Sequence, residues 1–140
     1  MKVSIITLHR ITNFGSLLQT YATQTYIRKL GYDTEIVDYV PDGMTFKRSV
    51  WPKGTSLVSK VIKFIPLTAV SLIQFDMVNS FMKKHITVSP KRYGSFAELA
   101  ENGPDADIYL SGSDQVWNPA NLEMDFYTLN FVPEDKTKIA

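Results

Sequence analysis

The chain has 140 residues, 44% of them hydrophobic and 21% charged, which predicts one domain with a substantial core. Fifteen basic and fourteen acidic residues give a net charge of +1 and are scattered along the sequence, which argues against a nucleic-acid-binding protein. Because cysteine is absent, disulfide scaffolds and thiolate metal sites are excluded.

The first forty residues predict a β-α-β unit. Val3 to Leu8 is dominated by β-branched residues, which is typical of a strand buried in a parallel sheet, and Asp33 to Val40 predicts a second strand. Between them we predict a helix that begins near Ser16 and ends at Gly31. Its apolar residues fall on one helical face: Leu18, Tyr21, Ala22 and Tyr26. The start of the chain lacks the pattern of a signal peptide, so we expect a cytoplasmic location.

The middle of the chain predicts an irregular loop and then helix. Residues 44–56 form the loop, and residues 57–84 are interpreted as two helical pieces separated by Pro66. Apolar residues surround most of this helix, as in a core or domain-interface helix. The alternative is a helix that lies on a membrane surface, with Lys60 and Lys63 near anionic head groups, and gives the protein a peripheral membrane contact.

The remaining elements complete an α/β pattern. The segment "ITVSPKRYG" is interpreted as a connector, and "SFAELAENG" as a short helix with Ser95 as N-cap and Glu98 in a capping box. Asp105 to Gly112 predicts a third buried strand, and Met124 to Val132 a fourth. We therefore predict a Rossmann-like parallel sheet with helices on both faces.

Two polar loops follow predicted strands, at the sheet edge where open α/β folds bind ligands. The first, "HRITNFGS", opens a helix, so its amides could receive a phosphate or carboxylate, with Gly15 allowing close approach. It is not a G-x-G-x-x-G motif. The other interpretation is an ordinary turn in which Asn13 or Ser16 caps the helix and Gln19 is solvated.

The second loop, "SGSDQVWNP", is harder to reduce to a turn. Asp114 or Asn118 could fix a turn, but Trp117 is an unusual loop residue unless it packs or stacks. We expect this loop to lie beside the first one and line a cleft, with Trp117 holding it and Asp114 and Gln115 facing the cleft. Asp114 could act there as an acid or base.

Two other residues were weighed for function. His9 ends the first strand and is a candidate acid, base or anion partner, although such a histidine is more often simply hydrogen-bonded. Asp38 ends the second strand, where Rossmann domains bind ribose, but a loop cap is the simpler interpretation. With two histidines and no metal-binding motif, we expect no metal.

Together "TLHRITNFGSLLQTYATQ" and "DIYLSGSDQVWNP" resemble the polysaccharide pyruvyl transferase family. Its members combine an N-[YF]-G turn and an LQ-YAL helix with a GSDQVWNP loop, and Thr23 stands where they usually have leucine. The resemblance implies transfer of the enolpyruvyl group of phosphoenolpyruvate, the donor substrate, to sugar hydroxyls, with no further cofactor. It also implies two Rossmann-like domains facing across a cleft, as in GT-B glycosyltransferases.

On this resemblance the chain is the amino-terminal, acceptor-side domain, spanning residues 1–140, of a longer enzyme whose carboxy-terminal domain holds the donor site. We therefore expect this chain to be inactive by itself and its partner to be a sugar or polysaccharide acceptor, including a lipid-linked one. His9 and Asp114 are the catalytic candidates within the chain. The candidate substrate-binding residues are Asn13, Phe14, Gly15, Ser16, Gln19, Gly112, Ser113, Asp114, Gln115, Trp117 and Asn118.

Two alternatives stay open. A domain of a GT-B nucleotide-sugar glycosyltransferase has the same outward pattern, because the two halves of such enzymes look alike. A glycan-binding module without catalytic activity is the third possibility.

Overall fold

The structure is a computed structural model and describes residues 1–11, 13–40, 57–112 and 124–140. The described residues form five parallel strands and four helices. The strands are β1 (Lys2–Ile6), β2 (Asp33–Tyr39), β3 (Val88–Tyr93), β4 (Ile108–Ser111) and β5 (Thr137–Ile139). The helices are α1 (Phe14–Lys29), α2 (Leu57–His85), α3 (Phe96–Asn102) and α4 (Met124–Tyr127).

The strands form one sheet in the order β3-β2-β1-β4-β5, with every neighbouring pair parallel. This order matches the first five strands of a Rossmann sheet, in which the chain starts at the centre, moves to one edge and returns to the other side. The predicted Rossmann-like α/β fold is therefore confirmed.

The core lies on both faces of the sheet because successive side chains of a strand point to opposite faces. On one face, Ile5 and Ile36 pack with Leu17 of α1 and with Val78 and Met82 of α2. On the other face, strand residues such as Ile6 and Val37 pack with Leu99 of α3 and Phe126 of α4. Both faces are thus covered by helices, as an all-parallel sheet requires.

Helix α1 exists as predicted, but it turns a different face to the sheet. Leu18 and Tyr26, assigned to its apolar face, are 57% and 63% exposed. The buried residues are instead Ser16, Leu17, Thr20 and Gln24. Small and hydrogen-bonded side chains let the helix approach the strands closely. The apolar residues from which the buried face was predicted therefore lie on the side of α1 that faces away from the sheet. Gly31, with a φ of 91°, ends the helix region as predicted.

Gln24 shows how a polar residue can occupy this buried face. Its side-chain nitrogen donates to the carbonyl of Thr87 at 2.8 Å, and its side-chain oxygen accepts from the amide of Thr87 at 3.0 Å. Because Thr87 directly precedes β3, the amide of Gln24 pairs with the backbone in the way a neighbouring strand would. Both halves of the buried amide are therefore satisfied.

Helix α2 is one continuous helix of 29 residues, whereas two pieces separated by Pro66 were predicted. A proline removes one backbone hydrogen bond and crowds the preceding turn, but the flanking turns can continue the helix. The predicted break is therefore wrong. The loop predicted for residues 44–56 lies outside the described residues.

The predicted connector around Pro90 is in fact the edge strand β3. Its register with β2 shifts between Ile36 and Asp38, where four residues of β3 span the distance of two residues of β2. The hydroxyl of Ser89 fills part of this irregularity by accepting from the amide of Asp38 at 3.0 Å. Proline fits such a bulged edge strand, where a backbone N–H is not required.

The fourth strand predicted at Met124 to Val132 is also wrong. This segment holds α4 followed by turns, with Leu129 in the left-handed region at a φ of 63°. Its aromatic side chains fill the core, and Phe126 stacks on Tyr39 with ring centroids 4.0 Å apart. The last strand is Thr137–Ile139 instead, paired with β4.

Helix α3 has the predicted start. The hydroxyl of Ser95 accepts from the amide of Glu98 at 3.2 Å, and the carboxylate of Glu98 accepts from the amide of Gly94 at 3.1 Å. The return bond thus reaches one residue beyond the usual capping-box partner. This cap fixes the turn between β3 and α3.

Candidate functional site

The carboxyl ends of β1 and β4 lie side by side, at the point where the strand order reverses. From β1 the chain crosses towards β2, and from β4 it crosses towards β5 on the opposite side. Open α/β sheets bind ligands in the crevice at this point, because the connections diverge there. The two polar loops of the sequence leave the sheet from these two strand ends.

Gly112 brings the starts of the two loops into contact. Its amide donates to the carbonyl of Ile6 at 2.7 Å. A Cβ added at this glycine would lie 3.0 Å from both Cβ and Oγ1 of Thr7 and 3.3 Å from the carbonyl oxygen of Ile6. The position therefore needs glycine for close approach, and Gly112 contributes to the site through its backbone.

We expect Gly112→Ala to lower the free energy of unfolding by about 1–3 kcal/mol, because the added methyl group meets backbone and a stiff β-branched side chain. Gly94→Ala is the matched control, since a Cβ there meets nothing within 4 Å. Urea unfolding followed by circular dichroism gives both values. Equal midpoints for the two variants would contradict the close-packing role of Gly112.

The rest of the second loop lies outside the described residues. This applies to Ser113, Asp114, Gln115, Trp117 and Asn118. Their placement against a substrate stays a prediction.

The first loop ends at the start of α1 in a capped turn. The side-chain oxygen of Asn13 accepts from the amide of Gly15 at 2.9 Å, so Asn13 is the N-cap of the helix. Phe14 and Gly15 are exposed, Ser16 is buried and Gln19 is half-buried. No acidic residue lies in the first turn. The capped turn that is one of the two interpretations is therefore present, and binding of an anion at this helix terminus stays a prediction.

A charged cluster, here called the Asp38 cluster, consists of Asp38, His9, Arg10 and Arg92. Arg10 binds the carboxylate of Asp38 in a bidentate way. Its Nε donates to Oδ1 at 2.5 Å and its Nη2 donates to Oδ2 at 2.7 Å. Arg92 donates to Oδ2 at 3.2 Å. The carboxylate is only 6% exposed. The first loop is therefore tied to the end of β2 by charge-assisted hydrogen bonds.

His9 completes this cluster. Its Nε2 lies 3.1 Å from Oδ1 of Asp38, and its Nδ1 lies 3.0 Å from the carbonyl oxygen of Thr7. Because both partners are acceptors, both contacts are hydrogen bonds only when each ring nitrogen carries a proton. His9 is 2% exposed and matches the hydrogen-bonded interpretation. A catalytic role for it stays a prediction and would require this arrangement to change.

The cluster also determines the ionisation of Asp38. Burial disfavours the charged carboxylate and would raise its pKa, but hydrogen bonds from His9 and Arg10 and the charge of Arg10 outweigh burial. They hold the pKa of Asp38 well below its usual range. Asp38 is therefore ionised at neutral pH and anchors the first loop, in line with the loop-cap interpretation.

A pocket lies next to the cluster at the carboxyl ends of β1 and β2. Its wall is mostly apolar, with charge contributed by Arg10. It is lined by Thr7, Leu8, His9, Arg10, Ile11, Tyr39, Val40 and Tyr127. Two of these, Thr7 and Tyr39, have buried hydroxyl groups without a hydrogen-bond partner in the described part of the chain. Native proteins normally satisfy such groups with water or a ligand.

The sequence interpretation missed Arg10, Arg92 and Tyr127 as members of this region. Arg10 lies four residues after β1 and Asp38 is the last residue but one of β2, so opposite charges near neighbouring strand ends were a usable signal. Arg92 could not be found in this way, because its segment was interpreted as a connector. Tyr127 belongs to α4, which was interpreted as a strand.

The described residues contain no group of three or more histidine or acidic side chains placed to hold a metal ion. Within the same part of the chain, none of the helices combines the length and the apolar character needed to cross a bilayer.

Comparison with known proteins gives one result. The sequence pattern of the family described as "Polysaccharide pyruvyl transferase" matches residues 13–140. Neither the curated proteins nor the solved structures contain a match. The matched range includes α1, the whole sheet except β1, and both motifs except the residues before Asn13. The chain therefore belongs to the polysaccharide pyruvyl transferase family.

Proposed function

We propose that the protein acts in the transfer of the enolpyruvyl group of phosphoenolpyruvate to hydroxyl groups of a cell-surface polysaccharide or its precursor. Membership of the pyruvyl transferase family supports this. The observation that carries it is the contact between the starts of the two motif loops at Gly112 and Thr7, beside the pocket. The loops thus leave the sheet where a substrate would bind.

The proposed reaction needs two acceptor hydroxyls. Both oxygens form bonds to the second carbon of phosphoenolpyruvate, and the bond from this second carbon to the phosphate oxygen breaks. Of the two hydroxyl protons, one is balanced by the proton that the methylene carbon takes up, and the other leaves with the phosphate. The products are a pyruvate ketal and inorganic phosphate. A group that removes protons from the hydroxyls accelerates such a reaction, and Asp114 is our candidate for it.

We assign this chain to the acceptor side of the reaction. This assignment rests on the resemblance of its two polar loops to the polysaccharide pyruvyl transferase family. The donor site belongs, on this proposal, to a second Rossmann-like domain in a GT-B-like enzyme of the cytoplasm.

The test is to incubate the protein joined to that second domain with phosphoenolpyruvate, or with UDP-sugars, and a set of candidate acceptor glycans. We expect inorganic phosphate to be released from phosphoenolpyruvate only when an acceptor is present, and the glycan to gain a pyruvate ketal. The 140-residue chain alone should show no turnover.

Other outcomes would contradict the proposal. Release of UDP without release of phosphate would identify a nucleotide-sugar glycosyltransferase. Tight glycan binding without turnover of either donor would identify a binding module. Ketal formation by the 140-residue chain alone would overturn the assignment of the donor site to another domain.

A further inference from the structure

The outer surface of α1 and α2 carries several large hydrophobic side chains that are at least one-third exposed, beside the half-buried Phe81. Ile73 is 61% exposed and Met77 52% exposed. Scattered apolar residues are normal on protein surfaces, but a contiguous group usually marks an interaction site. The group, here called the apolar stripe, consists of Phe14, Leu18 and Tyr21 on α1 and Ile73, Met77 and Phe81 on α2.

The stripe is continuous across the two helices. On α1 its members follow at intervals of four and three residues, and on α2 at intervals of four, so each set lies along one side of its helix. Tyr21 meets Phe81 edge to face with ring centroids 5.7 Å apart, and it also meets the ring of His85 at 5.9 Å. This contact joins the two sets into one surface.

Because α1 and α2 run in the same direction, their apolar side chains stay side by side beyond the contact between Tyr21 and Phe81. Each helix links neighbouring parallel strands, and both pack on the same face of the sheet, so α1 and α2 run in the same direction. One turn before Tyr21 and Phe81 come Leu18 and Met77, and one further turn back come Phe14 and Ile73. The stripe therefore runs for about two turns along the helix pair.

Charge is distributed unevenly around this surface. Asp76 is the one acidic residue in the sequences of α1 and α2. Arg28 is engaged by hydrogen bonds to Thr34 and Thr87. Lys29, Lys83 and Lys84 are exposed in the last turns of the parallel helices, at one end of the stripe.

We propose that this apolar stripe, with the basic ends of α1 and α2, docks on an anionic lipid surface. Apolar side chains beside lysines, with almost no acidic residues, match the boundary between acyl chains and anionic head groups. A second copy of the chain is a poorer match, because stripe-to-stripe packing would bring together two faces that carry the exposed Lys29, Lys83 and Lys84. The contact is peripheral and does not depend on the proposed pyruvyl transfer.

The test is flotation of the 140-residue chain with vesicles. One set consists of phosphatidylcholine alone and the other of equal parts phosphatidylcholine and phosphatidylglycerol. We expect binding to the anionic vesicles to be at least about tenfold stronger and to weaken as salt is added. The variants Ile73→Ser with Met77→Ser, and Lys83→Gln with Lys84→Gln, should each reduce binding by about tenfold or more.

The controls are Ile139→Ser and Lys138→Gln, which change an exposed apolar and an exposed basic residue of β5. Both should bind like the unchanged protein. Equal binding to the two kinds of vesicle, or no loss in the stripe variants, would overturn the proposal. A dimer in sedimentation equilibrium that Ile73→Ser disrupts would assign the stripe to a second copy. Absence of vesicle binding would assign it to a protein partner.

Discussion

Replacing Asp38 with alanine should lower the free energy of unfolding by about 3–5 kcal/mol. The carboxylate is buried and holds His9, Arg10 and Arg92 together, so its removal leaves positive charge at the sheet edge without its counter-ion. Urea unfolding at neutral pH, followed by circular dichroism, measures the loss. We expect no other single change in the Asp38 cluster to cost more.

Two further variants make this result interpretable. Arg92→Gln removes a partner that is 58% exposed and makes one bond of 3.2 Å, so we expect a loss of about 1 kcal/mol or less. Asp38→Asn keeps the shape of the side chain and gives a measurable protein if the alanine variant fails to fold. The cluster would be unimportant for stability if Asp38→Asn cost no more than Arg92→Gln.

The depressed pKa of Asp38 also predicts how stability responds to acid. An aspartate with a lowered pKa in the folded state contributes stability that is fully present above its unfolded pKa of about 4. This contribution disappears as the pH falls below that value towards the folded pKa. The stability difference between the unchanged protein and Asp38→Asn should therefore be largest near neutral pH and shrink below about pH 4.

The second large effect is expected at Asp114, on activity. Asp114→Ala in the complete enzyme should lower turnover at least ~100-fold, as loss of a positioned acid or base does, with little change in stability. Phosphate release from phosphoenolpyruvate measures the rate, and urea unfolding checks the fold. Asp114→Asn should be similarly impaired, because it keeps the size of the side chain but cannot take up a proton.

Asp135→Ala is the matched control, since it removes an exposed carboxylate from a turn near β5. We expect its turnover to be unchanged. Full activity of both Asp114 variants would show that the second motif loop is structural. A large loss of stability in both would show that Asp114 holds the loop together and does not take part in the reaction.

The sequence pattern was sufficient to predict the central strands of the sheet and the residues that cap the helices. Val3 and Ile5 belong to an apolar run that only a buried strand explains, and Ser95 with Glu98 forms a local signal that needs no knowledge of the rest of the fold. The edge strand β3 was missed because a proline argues against a strand unless the bulge and the edge position are known. The bulge and the edge position depend on how β3 pairs with β2, so the sequence of β3 alone does not reveal them.

Two of the remaining errors have a common cause. In α1, Gln24 is buried because Thr87, 63 positions away, offers it a backbone donor and acceptor. In the segment after Met124, Phe126 is buried because Tyr39 offers it a ring to stack on. Periodicity counts apolar residues along a short window, so it cannot register a partner that only the folded chain supplies.

The candidate site was predictable in its position but not in its internal contacts. Two polar loops after strands indicate a shared sheet edge, and Gly112 against Thr7 shows that edge. The Asp38 cluster depends on β3, which supplies Arg92, and on the exact end of β2. A sequence without a correct β3 could therefore not show that Asp38, which anchors the first loop, is bound by Arg92 as well as by His9 and Arg10.

The irregular register of β3 has a consequence for solubility. A sheet edge exposes unpaired amide and carbonyl groups, which offer a template for strands of other molecules and so favour aggregation. On the β3 edge, Pro90 has no N–H to offer and the bulge interrupts the regular ladder. This edge of the sheet is thereby a poor template for intermolecular β-pairing, so the same feature that concealed β3 in the sequence keeps separate molecules apart there.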